Sequence, residues 1–231
     1  MNNSSFPEYV CPYAKRLATK SPRFARQCYD PKGPSATHHS SLIAHRFSPD
    51  PFGELTHASR CPGLKQRFPD RVLVMTTELC FMCCRHCTRQ GLFGKTSVCR
   101  TDRDLQRCVD YVKAHPKVRD VLLSGGDVLT LSDAKVMKFV NAFAKLPQVE
   151  IVRVCTRALS ANPNRVTAKL AAMLARSKTV WVNTQFNCAD ELTPAAGRAA
   201  ARLVGCGIPV SCQTVLLRGV NDSPREMLRL L

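Results

Sequence analysis

Residues 72–87 read VLVMTTELCFMCCRHC, six strand-forming residues followed closely by four cysteines in eight positions. The apolar, β-branched half has the texture of a buried strand. That texture recurs at 121–124 (VLLS), 151–156 (IVRVCT), 180–186 (VWVNTQF) and 210–217 (VSCQTVLL), with starts 49, 30, 29 and 30 residues apart. Helical patterns fill the intervals. Residues 102–114 follow Thr101, with Asp104 placed for a capping box, and put Leu105, Cys108, Val109 and Val112 on one face. Residues 133–145 follow Ser132, 168–175 follow Thr167, and 194–204 open with Thr193 and Pro194. Strand–helix units at this period imply right-handed crossovers and a parallel sheet. The expected fold is α/β, a partial (β/α) barrel with about five of six parallel strands. The interval after the first strand is the long one, and it holds the cysteines.

The rest of the chain bounds the function. At 231 residues and 45% hydrophobic it can bury a sizeable core, so disorder throughout is excluded. No apolar run is long enough for a transmembrane helix. The net charge of +17 is spread along the chain and suits anionic partners without naming one. Residues 1–71 carry many prolines and read as an irregular or helical extension, with a short helix around Tyr13–Lys20 and a surface linker at 31–41. Residues 72–231 form the barrel domain. Thirteen cysteines after a polar start suggest a reducing, cytoplasmic compartment. The acid-free stretch Lys15–Arg26 has the composition of a mitochondrial leader, but Pro12 and Pro22 are expected to interrupt a helix there.

Two groupings of the four cysteines are possible, C-x3-C-x2-C through Cys80, Cys84 and Cys87, or two abutting C-x2-C pairs. Zinc normally takes its pairs from well-separated segments, which abutting pairs supply poorly. Three thiolates at the first spacing can hold three corners of a [4Fe–4S] cube and leave the fourth iron open for a small molecule. After the second strand comes SGGD at 124–127, where two glycines permit close backbone approach and an acid can hold an amine or hydroxyl. Thr156 and Arg157, Gln185 and Gln213 occupy corresponding strand ends, where β/α barrels build their sites.

C-x3-C-x2-C after the first strand of such a repeat resembles the radical S-adenosylmethionine enzymes. The segments RFPDR (67–71), CRHCTR (84–89), VRDVLLSGGD (118–127), VEIVRV (149–154), VWVNTQFN (180–187) and QTVLLRGVND (213–222) resemble lysine 2,3-aminomutase and its relatives. So does the lead-in DPFGELTHASRCPGL at 50–64. The resemblance implies that Cys80, Cys84 and Cys87 hold a [4Fe–4S] cluster, with Cys83 standing where the family usually has tyrosine. It implies that Ser124, Gly125, Gly126, Asp127, Arg157, Gln185 and Gln213 contact S-adenosylmethionine, with Gln185 replacing a frequent histidine. Arg89 resembles the arginine that pairs with the substrate carboxylate, and Arg67 and Arg71 resemble a grip on the phosphate of pyridoxal 5′-phosphate.

The implied reaction moves an amino group of lysine or a related amino acid from C2 to C3. It would draw an electron from a donor such as flavodoxin or ferredoxin, in a homo-oligomer when full length. The family's pyridoxal lysine is expected beyond position 231, as is the sixth parallel strand, and none of Lys95, Lys113 or Lys117 stands in a matching context. Two other readings stay open, a radical enzyme acting on RNA, against which the matched segments argue, and a non-catalytic metal-binding fragment.

Overall fold

The computed structural model describes residues 10–28, 52–54, 61–89, 98–99, 101–177 and 179–231. The linker read at 31–41 lies outside these residues. Six strands form one sheet in chain order: β1 (Leu64–Phe68), β2 (Arg71–Thr77), β3 (Asp120–Gly125), β4 (Ile151–Cys155), β5 (Val180–Thr184) and β6 (Val210–Cys212). The five from β2 to β6 pair in parallel and the sheet is not closed. β1 is an addition to the strands read from sequence. It pairs antiparallel with β2, Leu64 opposite Val74 and Phe68 opposite Arg71, so the sheet starts before residue 71. Its sequence, LKQRF, has no apolar alternation, and its pairing with β2 makes it a strand.

Helices connect the parallel strands: α3 (Asp102–Ala114), α4 (Asp133–Ala144), α6 (Ala168–Ala175) and α7 (Pro194–Gly205). The short α5 (Ala158–Ala161) lies between β4 and α6, and α8 (Pro224–Leu230) follows β6. Each of the four long helices begins at the cap read from sequence. The Thr101 hydroxyl accepts from Asp104 N, and the Asp104 carboxylate accepts from Thr101 N, closing the capping box. Ser132, Thr167 and Thr193 accept in the same way from Lys135, Leu170 and Ala196. The inner face of α3 is Leu105, Cys108, Val109 and Val112, all buried. These faces join Val72, Val74, Val121, Leu123, Val152, Val154 and Val182 in the main core.

Two helices precede the sheet, α1 (Pro12–Lys20) and α2 (Pro22–Gln27). As the sequence suggests, Pro22 interrupts the helix: α1 ends at Lys20, and Ser21 before the proline is extended, with φ −127° and ψ 106°. Pro12 and Pro22 each stand in a first turn, where no backbone N–H is needed, and Ser21 caps α2 by accepting from Phe24 N. Phe24 and Ala14 are fully buried in a second, smaller core with Met82, Ala161, Cys188, Leu217 and Val220. That core lies over the C-terminal ends of the parallel strands. The N-terminal segment is therefore packed onto the cysteine loop, with Cys11 N donating to Phe81 O at 2.8 Å. Among the described residues, no helix is long and apolar enough to cross a membrane.

Candidate functional site

The cysteine loop leaves β2 at Thr77 and is braced by the turn after β3. Gly126 N donates to Thr77 O at 2.6 Å and Asp127 N to Leu79 O at 2.7 Å. Gly125 has φ +121°, and a Cβ there would lie 2.4 Å from Thr77 O. A Cβ on Gly126 would lie 2.2 Å from Leu79 O. The two glycines do allow a close approach, as the sequence suggests, but what approaches is the backbone of the cysteine loop.

Cys80, Cys84 and Cys87 are half-buried in that loop, whereas Cys83 is 2% exposed and packed inward. Burial pushes the Cys80 thiol well up, reinforced by Asp127 and the neighbouring cysteines. Cys87 is pushed up to about 11, by burial first and by Cys84 next. Thiols that hold one another protonated in this way ionise when a cationic group is bound among them. Among the described residues, no three His, Cys, Asp or Glu side chains are arranged around one metal ion. The three thiols of an iron–sulfur cube sit on three different irons, so they need not converge on a point. A soft, half-buried, three-thiol donor set fits such a cluster.

Behind the loop lies a buried polar network. Arg157 donates from Nη1 to Cys84 Sγ at 2.9 Å and from Nη2 to Gln27 Oε1 and to Glu191 Oε2 at 3.2 Å. Burial works against its charge, but Cys84 and Glu191 outweigh burial and keep the guanidinium protonated. Glu191, fully buried, also accepts from Gln27 Nε2 and from the backbone of Asn187 and Cys188. Asp127 accepts from Thr156 Oγ1 at 2.7 Å, Arg157 N at 2.7 Å and Leu129 N at 3.0 Å. Burial raises its pKa and these donors oppose the shift. These donors make its carboxylate an anchor that ties the end of β3 to the end of β4.

His86, between Cys84 and Cys87, is the residue sequence reasoning passed over. It is buried and its pKa is lowered to about 3, by burial first and Arg157 second, so the ring is neutral. Its Nε2 faces the amide nitrogens of Gln185 at 3.2 Å and Asn187 at 3.4 Å, which assigns the proton to Nδ1. Among the described residues, the buried side-chain nitrogens and oxygens without a hydrogen-bond partner are His86 Nδ1, Arg157 Nε and Thr184 Oγ1. His86 Nδ1 and Arg157 Nε belong to the loop and the network behind it, whereas Thr184 Oγ1 shares its face of β5 with the core residues Val180 and Val182. Orphaned buried polar atoms are rare, and the first two mark where a bound group would satisfy them.

Arg89 is half-buried, and Glu54 occupies its fork, accepting from Nε and Nη2 at 2.8 Å. Its Nη1 donates to Ser124 Oγ at 3.3 Å. Gln213 is exposed just past β6 and its backbone donates to Thr184 O. Cys80, Cys84, Cys87, Arg89, Ser124, Gly125, Gly126, Asp127, Arg157, Gln185 and Gln213 are thus brought to one end of the sheet. Arg67 and Arg71 are not. Arg71 opens β2 and Arg67 lies on the paired β1, both flanking the Phe68 ring in the open at 5.4–5.5 Å. A seven-residue strand, about 20 Å long, separates them from the cysteine loop. Arg71 is instead paired with Asp70.

No family model matches the chain. Curated relatives do. It is 43% identical over 173 residues to an L-lysine 2,3-aminomutase of Fusobacterium nucleatum subsp. nucleatum, covering 75% of this chain and 41% of that protein. It is 41% identical over 193 residues to an L-lysine 2,3-aminomutase of Acetoanaerobium sticklandii, covering 83% and 47%. A glutamate 2,3-aminomutase of Clostridioides difficile is 36% identical over 185 residues, covering 80% and 43%. The chain spans less than half the length of these relatives. With that identity over three quarters or more of its own length, and an open parallel sheet, the part that the chain spans is homologous to the L-lysine 2,3-aminomutases.

Proposed function

We propose that this chain forms the cluster- and S-adenosylmethionine-binding part of a radical amino-acid 2,3-aminomutase, with Cys80, Cys84 and Cys87 holding a [4Fe–4S] cluster. The observation that carries the reading is the convergence of that half-buried thiol set with two orphaned buried nitrogens, His86 Nδ1 and Arg157 Nε, at one end of a parallel sheet. When bound, and reduced by a donor such as flavodoxin or ferredoxin, the cluster supplies the electron that cleaves S-adenosylmethionine to a 5′-deoxyadenosyl radical. The chain's own residues hold and orient. Arg157 donates to Cys84 Sγ and so fixes one ligand against the polar network. Gly125 and Gly126 keep the loop pressed to β3. The free Nδ1–H of neutral His86 is a donor for a bound acceptor. Ser124, Gln185 and Gln213 line the same end, and Arg89 is aimed at a carboxylate, its fork already holding that of Glu54.

Amino-group migration, the amino-acid substrate and pyridoxal 5′-phosphate enter only through the names of the relatives and the family resemblance. Arg67 and Arg71, exposed near the N-terminal end of β2, are the residues that the resemblance offers for the cofactor's phosphate. The test is anaerobic reconstitution with iron and sulfide, metal analysis, and a dithionite-driven assay for 5′-deoxyadenosine. About four irons per chain with nucleoside release is expected. Alanine at Cys80, Cys84 or Cys87 should remove both, and alanine at Cys83 neither. Zinc, or iron without cleavage, overturns the reading.

A further inference from the structure

A second group of cysteines lies behind β2, away from the strand ends. Cys61 precedes β1, Cys99 follows the cysteine loop, and Cys108 is on the inner face of α3. They are 7%, 1% and 0% exposed. Cys61 Sγ and Cys108 Sγ are 3.1 Å apart, and Cys99 also hydrogen-bonds Cys108. The hydrogen bond from Cys99, burial, and the bond to Cys61 together hold Cys108 far above the ordinary thiol range, and burial raises Cys61.

The backbone converges at the same point. Met75 N donates to Gly63 O and Cys99 N donates to Met75 O, both at 2.7 Å, so the segments carrying Cys61 and Cys99 are hydrogen-bonded to the same residue of β2. Cys108 Sγ approaches Pro62 O at 3.6 Å. Gly63 has φ +79°, and a Cβ on it would lie 2.5 Å from Cys99 N, so this crossing is tightly fixed. These three thiols are not among any metal-holding group in the described residues. What the packing prepares is a bond between two sulfurs, which need close by about 1 Å to reach disulfide length.

We propose that Cys61 and Cys108 are an oxidation site that closes to a disulfide on exposure to hydrogen peroxide, joining the segment before β1 to α3. Cys61 is the attacking sulfur, because the Cys108 hydrogen bond and the Arg107 charge act against its burial and stabilise its minor thiolate form. That thiolate attacks peroxide to give a sulfenic acid and hydroxide, and the Cys108 thiol displaces the sulfenic oxygen as water, forming the S–S bond. Two thiols lose two electrons and two protons, and one peroxide becomes two waters. The near-zero exposure selects a small oxidant over a bulky disulfide. The inference does not depend on the cluster, because none of the three residues lies in the cysteine loop.

The test treats the full chain, reduced and then freed of reductant, with hydrogen peroxide, and blocks remaining thiols before trypsin digestion. Cleavage after Lys and Arg puts Cys61, Cys99 and Cys108 in three different peptides, CPGLK, TSVCR and CVDYVK. Exposed Cys206 and Cys212 report that oxidant was delivered. A CPGLK–CVDYVK cross-link, lost on reduction and missing in Cys108→Ser, is expected. Recovery of both peptides as blocked thiols while Cys206 and Cys212 are oxidised overturns the proposal. So does a Cys99–Cys108 link in its place, or sulfinic acid at either residue. The wild-type digest decides even where the serine variant does not fold.

Discussion

Arg157 and Arg71 carry the same guanidinium at opposite ends of the sheet, and their surroundings share almost nothing. Arg157, just past the C-terminal end of β4, is 7% exposed and shared among a thiol, a carboxylate, an amide and, through its backbone, a second carboxylate. Arg71, at the N-terminal end of β2, is exposed and paired with its neighbour Asp70. The difference shows where this fold keeps its polar chemistry. Parallel strands direct their C-terminal ends toward one set of loops, and the N-terminal helices roof that set, so charges there have left water. Arg71 and Asp70, at the other end, have not.

The comparison breaks first at Arg157. Removing it leaves Glu191 as a fully buried carboxylate with no cationic partner, so Arg157→Ala should cost about 3–5 kcal/mol in urea unfolding of the apo chain. The double variant Arg157→Met with Glu191→Leu removes both charges and should recover part of that loss. A cost for Arg157→Ala no larger than for Arg71→Ala would mean that the network is wetter than its packing indicates.

Next comes the brace. Gly126→Ala puts a methyl group 2.2 Å from Leu79 O, a backbone atom that cannot swing aside. The strand-end turn and the cysteine loop must separate, at about 2–3 kcal/mol. Gly197→Ala, with nothing within 4 Å of its Cβ in α7, is the control and should stabilise by about 0.5–1 kcal/mol. Reconstituted iron should fall in the first variant and not in the second. Equal iron in both would mean that the loop holds its ligands without the glycines.

How much of this was readable in the residues follows from how far each determinant reaches. The start of α3 was legible to the residue because Thr101 and Asp104 are three apart and its buried face repeats within one helix. The cysteine loop was legible because its spacing is local. β1 was not, since a segment such as LKQRF becomes a strand only by pairing with β2. Pro22 was legible as a break, because it forces the extended Ser21 before it, but the packing of the two short helices, shown by buried Ala14 and Phe24, was not. The partners of Arg157 were invisible, because Gln27 lies 130 residues away and Glu191 lies 34. The SGGD segment announced a close approach without saying to what.

An intermediate case sharpens the contrast. Arg153, on β4, grips both oxygens of Asp120 at 2.9 and 3.0 Å and lies over the Trp181 ring. The carboxylate side chain is 8% exposed and the arginine 24%, so the pair is sheltered, though near the N-terminal end of β3. Arg153→Ala should cost about 1–2 kcal/mol and respond weakly to salt. A cost that vanishes in high salt would place this pair with Arg71 rather than with Arg157.

Arg71→Ala should have the smallest effect. Its hydrogen bonds with Asp70 are the main reason that carboxylate sits below its ordinary pKa. A carboxylate depressed in the folded state lends stability above its unfolded pKa and loses it as pH falls through the folded value. The pair therefore contributes at all pH values above the ordinary Asp range, and both members are in water, where mobile ions screen them. The thermal midpoint of Arg71→Ala should fall slightly at pH 7 in low salt and match the unsubstituted chain in high salt. It should also match below the depressed Asp70 value, where the carboxylate is protonated. A drop that persists in high salt would mean that Arg71 works through its packing on Phe68, 5.4 Å from the ring, rather than through its charge. Arg71→Met would then separate the two contributions, keeping the apolar stem while removing the guanidinium.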